Sequence, residues 1–258
     1  MSSYIFDTHS HYDDKAFDSD RDEILGGLFA KGIGKVVDVG ADMPSSKMAL
    51  ELAKQYEFVY AALGVHPSEV EGLTEDDMAW ISSHAAHEKV AAIGEIGLDY
   101  HWPEPKPALQ KQWFRRQIEL AKEVKLPIIV HSRDAAEPTM QIIQETKAYE
   151  CGGVIHCYSY SPEMAEEYVK MGFFIGMGGV LTFKNAKKLK EAAAELPIER
   201  ILLETDCPYL APEPYRGKRN SSLYLPQVVA ALAELKGLTC QEIEDITWHN
   251  GCRFYGLE

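Results

Sequence analysis

Long hydrophobic runs are missing from this sequence of 258 residues. No apolar stretch approaches the roughly 20 residues that a membrane-spanning helix needs, and the N-terminal residues lack the basic and then apolar pattern of a secretory signal. Cysteine is scarce as well: the five cysteines are an odd number and none forms a C-x-x-C pair, which argues against a disulfide framework. We therefore expect a cytoplasmic protein that does not interact with membranes.

Basic residues are also few relative to acidic ones. The chain has 26 lysines and arginines against 40 acidic residues, and its formal net charge is −14. Such a charge favours solubility and disfavours broad electrostatic attraction to nucleic acid or anionic lipid. A nucleic-acid partner would need a local basic patch or bound metal ions. No pattern in the sequence indicates an obligate protein partner.

Short aliphatic and β-branched runs alternate along the chain with longer segments of helical period, which is typical of repeated βα units. The first of eight candidate strands ends at Asp7, and the others cover 36–39, 58–63, 90–93, 127–130, 153–155, 173–175 and 201–203. The candidate helices cover 20–31, 44–56, 75–87, 106–125, 135–148, 161–171, 185–196, 224–236 and 240–249. No linker or change of composition divides the chain. This pattern predicts one (β/α)8 TIM barrel over residues 1–258, with a doubly wound open sheet as the alternative.

Polar residues follow the predicted strands at their C-terminal ends, where a parallel barrel has its active site. The first strand ends in D-T-H-S-H, and the two-residue period of a strand puts His9 and His11 on the same side with Asp7 behind them. The fourth strand ends in G-E-I-G-L-D. Glu95 is there either a bridging metal ligand or a solvated residue in a glycine-bounded turn.

Two further strands end in histidine. The fifth is an apolar run that ends at His131, and the sixth is one that ends at His156. After the eighth strand, alternation predicts Glu204 and Asp206 on one face and Cys207 on the other. Two inward carboxylates need compensating positive charge, which a metal ion supplies. We expect the thiol of Cys207 to point into the layer between barrel and helices, so it is not a candidate nucleophile.

These strand ends offer a mixed set of imidazole and carboxylate donors that suits two divalent ions bridged by one carboxylate: His9, His11, Glu95, His131, His156 and Asp206. Two such ions, about 3.5 to 4 Å apart, activate water and stabilise the attacking and leaving oxygens, which fits phosphodiester or amide hydrolysis. The donor types admit Mg²⁺, Mn²⁺ and Zn²⁺. His66, after the third strand, is either a packing residue or a contact to the substrate phosphate or leaving group.

The same residues occur in several motifs that follow one another in a fixed order. These are D-T-H-S-H at 7–11, D-S-D-R-D-E at 18–23, G-V-H-P at 64–67, G-E-I-G-L-D at 94–99, P-I-I-V-H-S-R at 127–133, I-H-C-Y-S at 155–159 and L-L-E-T-D-C-P-Y-L-A-P at 202–212. In these motifs the chain resembles, from end to end, the TatD-type deoxyribonucleases within the amidohydrolase-like metal-dependent hydrolases.

The resemblance implies a TIM barrel with a two-metal centre that hydrolyses DNA, commonly from the 3′ end of single strands. By matching motif, His9 and His11 bind one ion, His131 and His156 bind the other, Glu95 bridges them and Asp206 completes the shell. The resemblance also implies that Asp206 takes the proton of the attacking water, and that Glu204, the second candidate catalytic residue, lines the site together with His66.

Basic residues near these motifs are candidate substrate contacts. Arg133 lies two residues beyond His131 and is either a phosphate contact or part of a rim salt bridge. Three cations, Arg216, Lys218 and Arg219, form a loop that either holds a phosphate beside stacking aromatics or is only solvated. In the family R-G-K-R-N usually continues into Glu-Pro, whereas here two serines, 221 and 222, follow. Trp102 is a possible stacking ring or a cap on the barrel.

Other functions fit the same metal centre. A small-molecule hydrolase acting on an amide, lactone or phosphoester is the nearest alternative, and an aminoacyl-ester hydrolase acting on tRNA is a variant of it. A metal-stabilised scaffold without activity is the third. The net charge of −14 favours a small substrate, whereas the motifs favour DNA. The sequence thus predicts a metal-dependent deoxyribonuclease, with these alternatives open.

Overall fold

Eight parallel strands form the centre of the fold in the computed structural model, which describes residues 4–257. They are β1 (Ile5–Ser10), β2 (Ile33–Val39), β3 (Val59–Leu63), β4 (Val90–Asp99), β5 (Ile128–Arg133), β6 (Gly153–Ile155), β7 (Phe174–Met177) and β8 (Ile201–Leu203). Each strand pairs with the next one in the sequence, so the spatial order is the chain order.

The segment that follows β8 pairs with the C-terminal end of β1. An isolated parallel bridge joins Ser10 to Cys207. Beside it, the backbone N–H of Asp206 donates to the carbonyl of His9 at 2.9 Å, and that of His11 donates to the carbonyl of Cys207 at 2.8 Å. These bonds bring the two edges of the sheet together, so the predicted TIM barrel is confirmed and the open sheet is excluded.

Helices follow the strands on the outside of the barrel. They are α1 (Arg21–Leu28), α2 (Met43–Gln55), α3 (Glu75–His84), α4 (Pro107–Val124), α5 (Ala136–Glu145), α6 (Pro162–Lys170), α7 (Lys187–Glu195), α8 (Leu225–Lys236) and α9 (Cys240–Tyr255). The last helix is six residues longer than predicted. Its final turn buries Phe254 and Tyr255 against the barrel, and it ends where Gly256 adopts a left-handed φ of 64°.

The strand that differs most from its prediction is β4, which continues to Asp99 instead of ending at residue 93. Gly97 makes this possible because its φ is 149° and a Cβ there would lie 1.9 Å from the carbonyl oxygen of His131. The register pairs Gly97 with His131 and Asp99 with Arg133. The extension therefore brings Glu95 and Asp99 alongside the end of β5.

Within residues 4–257, buried residues form two apolar clusters. One lies between the barrel and its helices. The other contains alternate strand residues such as Phe6, Val37 and Ile129, which fill the barrel interior. Of the helices in residues 4–257, none is long and apolar enough to cross a membrane. The barrel is thus a packed scaffold that leaves its C-terminal end for polar chemistry.

Candidate metal centre

The end of β1 aims two imidazoles at one point. The Nε2 atoms of His9 and His11 lie 3.1 Å apart. The Nδ1 of His11 lies 2.7 Å from the carbonyl oxygen of Val39, so the N–H of a neutral ring donates there and the Nε2 lone pair faces inward. Asp7 points away from this site and accepts hydrogen bonds from Thr205 and from Ser222.

Glu95 lies between two groups of imidazoles. Its Oε2 faces the end of β1, at 3.5 Å from His9 Nε2 and 3.8 Å from His11 Nε2. Its Oε1 faces the ends of β5 and β6, at 2.8 Å from His131 Nδ1 and 3.3 Å from His156 Nε2. One buried carboxylate thus presents one oxygen to each pair of histidines, which is the arrangement of a bridging ligand.

Asp206 is the third donor beside His9 and His11. Its Oδ1 lies 3.3 Å from His11 Nε2 and 3.8 Å from His9 Nε2. Strand alternation, the predicted cause of its direction, is wrong, because β8 ends at Leu203 and Asp206 has a left-handed φ of 57°. A turn, held by the bond to the carbonyl of His9, places this carboxylate.

Glu204 does not line the cavity, although it was predicted as a catalytic residue there. It is 1 % exposed, accepts a hydrogen bond from the N–H of Cys157 at 2.6 Å, and places Oε1 3.3 Å from His156 Nδ1. A side chain at Gly176 would collide with this carboxylate, so the glycine makes room for it. Glu204 therefore lies behind His156, where it orients the ring.

Asp99 has the equivalent relation to His131, and it is not among the site residues predicted from the sequence. Its Oδ2 lies 3.1 Å from His131 Nε2. A neutral ring that donates from Nε2 turns the lone pair of Nδ1 toward Glu95. The signal was present in the motif at 94–99, because Asp99 stands four residues beyond Glu95 and a continuing strand puts both on one face.

Charge compensation inside the site is strong. Burial opposes the ionisation of Glu95, but the charge of His156 and the contact with His131 outweigh it and hold the pKa of this carboxyl well below its usual range. Burial opposes the protonation of His11, yet Asp206 raises the pKa of that imidazole to about 10. Burial and the neighbouring His131 lower the pKa of His66 to about 3. Ionised carboxylates that are this deeply buried require positive charge next to them.

The donor atoms fit divalent ions. Nitrogen and oxygen donors lie within 4.8 Å of one another in the set of His9, His11 and Asp206 and in the set of His9, Glu95 and His156. A further set joins His66, Asp99 and His131. Imidazole suits Zn²⁺ and Mn²⁺, and the carboxylates also admit Mg²⁺. Val39, Glu204 and Asp99 each contact one ring nitrogen of His11, His156 and His131, and the other nitrogen of each ring faces the Glu95 carboxylate and its surroundings.

A cavity of about 560 Å³ opens above these donors. Its wall includes His66, Arg133 and the carboxylates of Asp13 and Asp14, while Trp102, Tyr209 and Leu210 form its mouth. Trp102 is 55 % exposed and Tyr209 is 53 % exposed. Of the predicted substrate contacts, the structure thus brings His66 and Arg133 to the site. The structure also places the aromatic rings of Trp102 and Tyr209 in the same cavity as its charged side chains.

The basic loop does not reach this wall. Arg219 forms an ion pair with Asp20, the guanidinium of Arg216 lies 4.4 Å from the ring centre of Phe183, and the ammonium of Lys218 lies 5.7 Å from that of Tyr215. Ser222, the second of the two serines after the loop, is buried and donates a hydrogen bond to Asp7, which anchors β1. Cys207 is buried, and burial raises the pKa of its thiol well above the usual value.

Known proteins have sequences similar to this one over almost its whole length. A family model described as TatD related DNase matches residues 6–256. An uncharacterized metal-dependent hydrolase of Bacillus subtilis, YabD, is 48% identical over 253 residues, which cover 98% of this chain and 99% of that protein. The uncharacterized metal-dependent hydrolase YcfH of Escherichia coli is 34% identical over 259 residues, covering 99% and 97%.

A solved structure gives the same result. The crystal structure of YjjV, a TatD homologue from Escherichia coli, superposes with a TM-score of 0.93 at 31% identity and covers 100% of both chains. A hydrolase of the TatD family from Entamoeba histolytica superposes with a TM-score of 0.88 at 22% identity and shares the fold.

Proposed function

The chain belongs to the family of TatD-related DNases, which are metal-dependent hydrolases, and from this premise we propose that it hydrolyses phosphodiester bonds of DNA. The proposed substrate is single-stranded or frayed DNA, shortened from its 3′ end, and the proposed cofactors are two divalent ions, Mg²⁺, Mn²⁺ or Zn²⁺. The observation that supports it best is the two-sided Glu95 carboxylate with a pair of histidines on each oxygen.

The proposed ligands are His9, His11 and Asp206 for one ion and His131 and His156 for the other, with Glu95 between them. When bound, such ions lower the pKa of a water molecule and stabilise negative charge on phosphoryl oxygens. Asp206 would be the group that accepts the proton from the attacking water. The hydrogen bond from His11 and the charge of His156 outweigh burial and lower the pKa of Asp206, so its carboxylate is ionised at neutral pH.

The mouth of the cavity fits a nucleotide better than a purely polar substrate. Trp102 and Tyr209 are exposed aromatic rings on which bases can stack, and stacking tolerates every base. Arg133 also lines the cavity and can pair with a phosphate through two N–H groups. Base stacking on the rings together with phosphate binding by Arg133 would place a phosphodiester next to the donor atoms.

A time course on 5′-labelled single-stranded DNA tests the proposal. The purified protein is treated with a chelator, Mg²⁺, Mn²⁺ or Zn²⁺ is added back, and the Asp206→Asn variant is run in parallel. We expect a metal-dependent ladder that shortens from the 3′ end, with hydrolysis by the variant reduced by several orders of magnitude. DNA that stays intact with every metal while the ions are bound would exclude the nuclease.

The number of ions is tested separately by elemental analysis. Glu95 is the proposed bridge, so the Glu95→Ala variant should lose at least one of two ions. Retention of both ions in this variant, with its fold unchanged by circular dichroism, would contradict the bridging role.

One observation favours a second substrate class. Asp13 and Asp14 line the cavity and repel phosphates, but they would pair with an ammonium group such as that of an aminoacyl ester. The same donor atoms and Asp206 would serve that hydrolysis. Release of amino acid from aminoacylated RNA by a protein that leaves DNA intact would support this second function.

A further inference from the structure

Lysines are concentrated in one short segment of this acidic chain. Residues 184–190 include Lys184, Lys187, Lys188 and Lys190 and no acidic residue, although the whole chain has a net charge of −14. Lys184, Lys187 and Lys188 are exposed. Throughout the described part of the chain, none of these three forms an ion pair within 4 Å. Their charges are thus available to a partner.

Helix stability does not explain these lysines. Lys187 and Lys188 are the first two residues of α7, and the preceding Ala186 provides no side-chain cap. Cations in the first turn of a helix interact unfavourably with its macrodipole, whereas α3 begins in the favourable way, with three acidic residues. The lysines therefore cost α7 stability, which indicates a role outside folding.

A groove of about 620 Å³ runs along this segment. Its lining includes Ser159, Phe183, Asn185, Lys187 and Lys188, together with one acidic residue, Glu191. The guanidinium of Arg216, from the loop after β8, lies 4.4 Å from the ring centre of Phe183 and adds a fourth cation to the rim. We call this surface, formed by Lys184, Lys187, Lys188, Phe183 and Arg216, the lysine groove.

The lysine groove adjoins the mouth of the active-site cavity. It follows β7 at the same end of the barrel, and the N–H of Glu213 donates to Thr182 Oγ1 at 2.8 Å across the two loops. Gly179 lies against the carbonyl of Leu210, where a Cβ would approach to 2.0 Å. Leu210 itself lines the cavity. A chain leaving the cavity past Leu210 thus meets the lysine groove next.

We propose that the lysine groove binds the phosphodiester backbone of the part of the single-stranded substrate that lies outside the cavity. This inference rests on the proposed nuclease function and adds to it a site that selects strands over single nucleotides. Lysine and arginine neutralise phosphates without reading sequence. The groove would also offset the repulsion between the strand and a chain of net charge −14.

The test compares two triple variants of the metal-loaded protein. One is Lys184→Gln, Lys187→Gln and Lys188→Gln. Its control is Lys31→Gln, Lys125→Gln and Lys147→Gln, which removes the same charge from exposed residues that precede β2, β5 and β6 at the other end of the barrel. Binding of a fluorescein-labelled 15-nucleotide oligodeoxythymidylate with phosphorothioate linkages is measured by anisotropy from low to moderate salt. Turnover of thymidine 5′-p-nitrophenyl phosphate, which has one phosphodiester and no flanking strand, is measured alongside.

We expect the groove variant to bind the oligonucleotide at least about tenfold more weakly and to lower the slope of log Kd against log salt by about 2, since each phosphate contact on a single strand contributes about 0.7. Its turnover of the short ester should stay within about twofold of wild type. The control variant should bind the oligonucleotide like wild type.

Three results would overturn the inference. Unchanged binding by the groove variant, in a protein that cleaves DNA, refutes the lysine groove and leaves the nuclease function intact. An equal loss in the control variant means that only net charge matters. A wild-type protein that neither binds this oligonucleotide nor cleaves unmodified single-stranded DNA refutes both the nuclease function and the inference.

Discussion

The carboxylate of Glu204 lies directly behind the ring of His156, with Oε1 3.3 Å from Nδ1 and no access to the cavity. The charges of Glu204 and Glu95 outweigh burial and raise the pKa of His156 to about 9. Glu204 is therefore placed to orient the ring and increase its basicity as a metal ligand, and it does not touch the substrate.

The Glu204→Gln variant should bind one divalent ion about 10- to 100-fold more weakly, because an amide orients the ring without adding negative charge. Isothermal titration of the chelated protein with Mn²⁺ or Zn²⁺ measures this. Glu163→Gln, at an exposed position on α6, is the control and should bind like wild type. Wild-type affinity in Glu204→Gln, together with lost turnover, would instead indicate direct participation in the reaction.

A matching relation between Asp99 and His131 gives a second prediction. Asp99→Asn should weaken the ion held by His131, and raising the concentration of free metal should restore turnover. Asp134→Asn is the control, since Asp134 is exposed and its partner is His101. Turnover that stays low at saturating metal would contradict a purely orienting role for Asp99.

The two orienting carboxylates show how far sequence reasoning reaches. His131 and His156 were predictable because each ends an apolar run that can only be a buried strand. Asp99 was not found, since residues 94–99 resemble a glycine-rich turn until β5 supplies the pairing partners that extend β4. The position of Glu204 depends on the space at Gly176, which belongs to another strand. Local pattern predicted which strands form the site, whereas contacts between strands decide what each carboxylate does.

The contacts of the basic residues were likewise not predictable from local sequence patterns. Arg133 and Arg219 were both predicted as substrate contacts, but only Arg133 lines the cavity. Asp20, which pairs with Arg219, is 199 positions away in the sequence, and no local pattern reveals such a contact.

This difference predicts opposite outcomes for the two arginines. Arg133→Ala should raise KM for single-stranded DNA about tenfold or more, since hydrogen bonds to charged groups contribute about 1.5 to 3 kcal/mol. Arg219→Ala should leave KM within about twofold, because its guanidinium is engaged by Asp20 outside the cavity. Steady-state kinetics on one labelled oligonucleotide measures both. An effect of Arg219→Ala as large as that expected for Arg133→Ala would place Arg219 on the substrate-binding surface, and a KM within about twofold of wild type in Arg133→Ala would remove Arg133 from it.

Gly97 links the scaffold to the metal centre, and its replacement should damage both. A Cβ there would lie 1.9 Å from the carbonyl oxygen of His131, and the φ of 149° is one that other residues rarely adopt. Gly97→Ala should therefore lower the free energy of unfolding by about 2 to 4 kcal/mol and displace His131, which weakens metal binding. Gly26→Ala in α1 is the control, because nothing lies within 4 Å of its Cβ, and there we expect a gain of about 0.5 to 1 kcal/mol. Urea denaturation with and without metal separates the two effects: a Gly97→Ala protein that unfolds like wild type and binds metal normally would show that β4 and β5 can separate at this point without cost to the site.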